Sequence, residues 1–130
     1  MRIERHCRER LPGGQRLWRM LARKAGFNGV LEVYGYGVSG VPGIQHRRAM
    51  RTGVEKGVIL ADYGANLIRV WMASSCAAAE FEDLKPHEEP LAAFSHELGH
   101  HVIACRGKTM LPHIEEAVAE RYGRMLLRSM

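Results

Sequence analysis

His96-Glu97-Leu98-Gly99-His100 sets two imidazoles four residues apart, with a carboxylate beside the first. On a helix, residues i and i+4 share one face, so both rings reach a single metal ion. The glutamate is one residue on, about 100° around the helix. It flanks the ion, where it takes a proton from an activated water instead of coordinating. Composition alone gives this spacing in roughly 3 chains of 100, so its surroundings decide its weight. Leu91, Phe94, Leu98, Val102 and Cys105 form an apolar stripe along the same helix, and Ala92, Ala93 and Ile103 flank the histidine side. A helix apolar on both sides is central in a domain, and a histidine pair there suits a metal.

A catalytic zinc needs a third protein ligand and an open fourth position for water. Gly107 ends the histidine helix and Pro112 opens the next, which makes a tight antiparallel hairpin. At about 1.5 Å per residue, His100 lies roughly 9 Å before the turn and Glu116 roughly 6 Å after it. Glu116 is therefore level with His100 and is the expected third ligand. Glu120, one turn deeper, is level with His96 and is the expected acceptor for the free N–H of a liganding histidine. Glu116 and Glu120 share a stripe with Gly123, which would let the helices approach closely. Glu115 points about 100° away from that stripe.

Other residues are weaker candidates. His113 and Tyr122 are expected as transition-state donors, with Arg121 and Tyr63 open to the same role. His101 and Cys105 face away from His96 on the apolar stripe, and Cys105 is expected in the core. Gly35-Tyr36-Gly37-Val38-Ser39-Gly40 spells a dinucleotide fingerprint. Val41-Pro42-Gly43 follows at once, so no helix can open there to hold a pyrophosphate.

The segment His96 to His101 followed by Glu116-Ala117-Val118-Ala119-Glu120-Arg121-Tyr122-Gly123 resembles the gluzincin pattern, H-E-x-x-H followed by E-x-x-A-D/N. It is most similar to the small ImmA/IrrE-like metallopeptidases, in which H-E-L-G-H precedes E-x-x-A-N-x-F-A. Glu120 stands where that pattern has Asn or Asp. The resemblance covers residues 91–127 and extends loosely to Leu67–Met72. It implies a small zincin-like domain and a zinc peptidase, with a protein or peptide substrate, for some members a regulatory protein. Such an enzyme would lay its substrate along Leu67–Met72 by strand addition.

The elements that must position these residues read as an α+β domain, with a short mixed or antiparallel sheet packed on the histidine helix. An amphipathic helix spans Gln15–Ala25 and stops at Gly26. Strands are expected at Gly29–Tyr34, Val58–Ala61 and Leu67–Met72, with Asp62–Asn66 as the turn between the last two. Residues 35–43 and 80–90 read as loops, and Ile44–Arg51 as a short helix. The closing hairpin is Leu91–Cys105 and Pro112–Leu127.

The 130 residues fit one domain. The longest apolar run, Trp71–Ala79, is about half of a membrane span, so no membrane is expected. Three cysteines without regular spacing suit a reducing cytoplasm. The net charge of +5 is uneven: residues 1–24 hold eight Lys/Arg against two Glu, and the remainder holds eleven against twelve acidic residues. Residues 1–26 therefore read as a basic helical segment able to contact nucleic acid or an acidic partner. Residues 1–10 are expected to be dispensable for the chemistry. The alternative to a peptidase is a non-catalytic zinc-containing module that binds through this segment.

Overall fold

The computed structural model describes residues 1–7, 10–34, 61–72 and 89–130. The glycine-rich stretch with its fingerprint, the short helix at Ile44–Arg51, the strand start at Val58 and residues 80–88 lie outside the described residues. The described elements are β1 (Arg2–His6), α1 (Gln15–Lys24), β2 (Val30–Tyr34), β3 (Ala61–Gly64), β4 (Leu67–Trp71), α2 (Glu89–Cys105) and α3 (Pro112–Arg128). They form an α+β fold with a four-stranded mixed sheet in the order β1-β2-β4-β3. β1, β2 and β4 run parallel, and β3 is antiparallel to β4.

One face of the sheet makes the core. Leu31 and Val33 from β2 and Ile68 and Val70 from β4 are fully buried. They alternate with Glu32 and Arg69 on the other face, as a strand period of 2 requires. α1 and α2 cover the apolar face. Trp18 of α1 stacks on Phe94 of α2, with ring centroids 4.6 Å apart. The Trp18 indole N–H donates to the Pro12 carbonyl at 2.8 Å, so its polar atom is satisfied at the edge of the core. Arg23 and Lys24 in the last turn of α1 oppose its dipole, and Gly26, at φ 73°, ends it.

The structure corrects the expected topology in three places. Arg2–His6 is a strand, not part of a basic helix. It pairs in parallel with β2 over five residues, Arg2 opposite Val30 through His6 opposite Tyr34. Among the described residues β1 is an edge strand, and its charges deter further strand pairing. Deleting residues 1–10 would therefore remove β1 and the partner of one side of β2. The hairpin turn is Ala65-Asn66, at φ 49° and 65°, so Asp62, Tyr63 and Gly64 belong to β3. Two consecutive left-handed residues suit the twist of a two-residue hairpin. Finally, β4 is interior, with its backbone groups taken by β2 and β3, so it cannot accept a substrate strand. Among the described residues, β3 is the edge strand on that side.

The closing hairpin follows the expected register. α2 ends at Cys105 with Gly107 at φ 65°, and α3 opens with Pro112. Pro90 also falls inside a helix, in the first turn of α2, where its missing N–H is harmless. The two helices touch backbone to backbone. A Cβ added to Gly99 would lie 2.2 Å from the Ala119 carbonyl oxygen, and one added to Gly123 would lie 2.8 Å from that of Ser95. No flexible side chain can yield at either point. Gly99→Ala should therefore destabilise the chain by about 1–3 kcal/mol, whereas Gly64→Ala, which meets nothing within 4 Å, should not. Urea unfolding of both variants checks this; equal midpoints would contradict the close approach. Among the described residues, no helix is long and apolar enough to cross a membrane.

Candidate metal centre

The i, i+4 spacing on α2 brings the His96 and His100 rings to a centroid distance of 4.9 Å, nearly perpendicular at 77°. α3 runs antiparallel beside them and delivers Glu116 between the two rings. Glu116 Oε2 lies 2.8 Å from His96 Nε2, and Oε1 lies 3.0 Å from His100 Nε2. One ligand atom from each of the three residues falls within 4.8 Å of the others. Tetrahedral zinc with bonds of about 2.1 Å sets its ligand atoms about 3.4 Å apart. Two imidazoles and a carboxylate converging in this way are a donor set that suits such an ion.

A carboxylate also holds the outer side of the His96 ring. His96 Nδ1 donates to Glu120 Oε2 at 2.7 Å, and Arg124 Nε donates to Glu120 Oε1 at 3.1 Å. A proton fixed on Nδ1 leaves Nε2 as the coordinating nitrogen. Burial alone would raise the pKa of Glu120, but the hydrogen bonds from His96 and Arg124 outweigh it and hold the carboxyl below its ordinary value. Burial would likewise lower His96. The Glu120 hydrogen bond, with Glu97 and Glu116, reverses that and raises it. Glu115 stands 3.7 Å from His100 Nδ1. Sequence spacing set Glu115 aside because it leaves the Glu116 stripe. The signal was that His100 lies nearer the turn than His96, so its outer nitrogen meets a carboxylate earlier on α3.

No family model, curated protein or solved structure matches this chain. The chemistry of the centre therefore stands on its own residues.

Glu97 is the buried acid of the group, only 8% exposed. Burial, with added repulsion from Glu116 and Asp62, pushes its pKa up from 4.5 to about 7 against the pull of His96. That value suits a group that exchanges protons near neutral pH. It also has a cost. The folded metal-free protein holds a proton on Glu97 that the unfolded chain releases between pH 4.5 and about 7. Stability is highest below that window and falls as pH rises through it. Glu97→Gln removes the ionisation, so relative to wild type it should gain stability across the window, reaching roughly 3 kcal/mol above pH 7. Urea unfolding with a chelator at both ends of the window checks this. A constant difference between the two proteins would show that Glu97 titrates normally.

The remaining candidates are placed elsewhere. His113 is exposed at the start of α3, with no hydrogen bond or ion pair among the described residues. Arg121 is exposed. The Tyr122 hydroxyl accepts from Arg106 Nη1, and the Arg106 guanidinium lies over its ring, so Tyr122 is engaged away from the histidines. Tyr63 donates to His101 Nδ1 at 3.0 Å, and His101 Nε2 lies 3.2 Å from the Gly26 carbonyl oxygen. Buried on the far side of α2, His101 ties that helix to β3 and to the end of α1. Cys105 is exposed, not core, because the apolar stripe outruns the sheet at the last residue of α2.

Proposed function

We propose that this chain is a zinc-dependent metallopeptidase with a zincin-like arrangement of helix and sheet. The observation that carries the proposal is the convergence of His96, His100 and Glu116 within ligand distance, next to a buried, protonatable Glu97. His96, His100 and Glu116 would hold the ion, with Glu120 orienting His96. Zinc bound there supplies Lewis acidity, which lowers the pKa of a water and polarises a carbonyl.

Glu97 takes the proton of the attacking water and passes it to the leaving amine. Its raised pKa serves both halves of that exchange, since the carboxylate form accepts and the acid form donates. A structural metal site gives no role to a carboxylate kept in so costly a place. β3 is the element best placed to align an extended peptide. It packs against α2, and among the described residues its outer edge has no strand partner, so strand addition can occur there. The substrate is thus a peptide or an unfolded protein segment. The working compartment on this reading is a reducing cytoplasm, which the three irregularly spaced cysteines of the sequence suit. The test is elemental analysis of the purified chain together with cleavage of unfolded casein. A stoichiometric ion without cleavage under any condition would favour the non-catalytic module instead.

A further inference from the structure

We propose that the exposed face of α1 binds the phosphate backbone of duplex DNA. Residues 10–31 contain Arg10, Arg16, Arg19, Arg23 and Lys24 and no acidic residue. Arg16, Arg19 and Arg23 recur at i, i+3 and i+7, so they form one stripe about 10 Å long. All three are exposed, and none makes a salt bridge among the described residues. They line a groove with Gln15 and Met20, and Arg19 and Arg23 continue into a second groove bounded by Gly26, Phe27 and Asn28. Among the described residues, neither groove has a carboxylate in its wall. Arg19 donates one N–H to the Met1 carbonyl, which fixes its direction; among the described residues its other donors have no partner.

The chemistry of the face selects among polyanions. Guanidinium groups match phosphate in a bidentate fashion. The stripe spans about three phosphate steps of one strand, which rise about 3.4 Å each. A rigid helix suits the regular backbone of B-form DNA, whose major groove admits a helix, whereas that of RNA duplexes is too narrow. Single strands are held by stacking on exposed aromatic rings. The aromatic residue of α1, Trp18, is fully buried. Membrane-surface helices insert their apolar face. Here that face, with Trp18, Leu21 and Ala22, is sealed in the core.

The test is fluorescence anisotropy of the full chain with a labelled, mixed-sequence DNA duplex over a range of salt. Three phosphate contacts predict that log K falls against log salt with a slope of about −2.7 or steeper. Each Arg→Gln substitution at Arg16, Arg19 or Arg23 should flatten the slope by about 1. Lys108→Gln, in the exposed turn between α2 and α3, should leave both slope and affinity unchanged. Thermal melting of the triple variant, expected at the wild-type midpoint, separates lost binding from lost fold. The proposal is overturned by absence of binding at low salt, or by a slope that the triple substitution leaves unchanged. It is equally overturned by tighter binding to single strands or phosphatidylserine vesicles, or by displacement with polyglutamate as efficient as with unlabelled duplex.

Discussion

Glu97→Gln is expected to retain a full equivalent of zinc and to lose peptide hydrolysis by about 10²–10⁴-fold, the usual contribution of a positioned general base. His96→Ala and His100→Ala are expected to lose the metal and the activity together. The contrast follows from where the side chains sit. The Nε2 atoms of His96 and His100 both face Glu116 within 3.0 Å, so on the proposed reading each substitution removes a direct ligand. Glu97 is one residue around the helix and is absent from the group whose ligand atoms converge. Gln at this position keeps the volume and the helix but can no longer move a proton. The metal-free stability of Glu97→Gln should meanwhile rise at neutral pH, so inactivity cannot be blamed on unfolding. Equal zinc loss in all three variants would make Glu97 a ligand and dissolve the distinction between holding and proton transfer.

Glu116→Gln should weaken zinc more than Glu120→Gln does. Glu116 places an oxygen against each histidine on the coordinating side, whereas Glu120 touches only Nδ1 of His96. Loss of a carboxylate that merely orients a liganding histidine typically costs 10–100-fold in affinity. Loss of a ligand costs more and opens a coordination position. Glu115→Gln should have the smallest effect of the three, because its carboxylate is 3.7 Å from His100 and not within hydrogen-bonding distance. Competition with a chromogenic chelator ranks the variants. Tighter zinc in Glu116→Gln than in Glu120→Gln would exchange their roles and shift the ligand one turn along α3.

The hairpin is legible in sequence because its boundaries carry strong local chemistry. Gly107 takes a left-handed φ that other residues avoid, and Pro112 fits a first helical turn. With the turn fixed, helix rise alone levels Glu116 and Glu120 against the histidines. The sheet is harder to read. β1 contains one apolar residue, Ile3, among four charged or titratable ones, so it lacks the alternation of a half-buried strand. Its pairing is supplied by β2, 24 residues further on from His6, which no local pattern encodes. Asp62 and Gly64 resemble turn residues, yet Asp62 lies opposite Arg69 and pairs with it across the strands. The actual turn, Ala65-Asn66, carries only Asn as a signal. Cys105 matched the apolar period of α2, but periodicity does not say where the covering sheet ends.

α3 buries only Ala119 and Gly123 fully, two residues with almost no side chain to withdraw from water. Leu126 and Leu127 reach the core only in part. The helix therefore adheres through close backbone approach and through its carboxylates. Little hydrophobic free energy holds it. Detachment of α3 is therefore the expected first opening, separable from melting of the sheet and α1. It would carry Glu115, Glu116 and Glu120 away while His96 and His100 stayed on α2. An ion bridging the two helices would latch that opening, so metal affinity and the amide-exchange protection of α3 are two measures of one equilibrium.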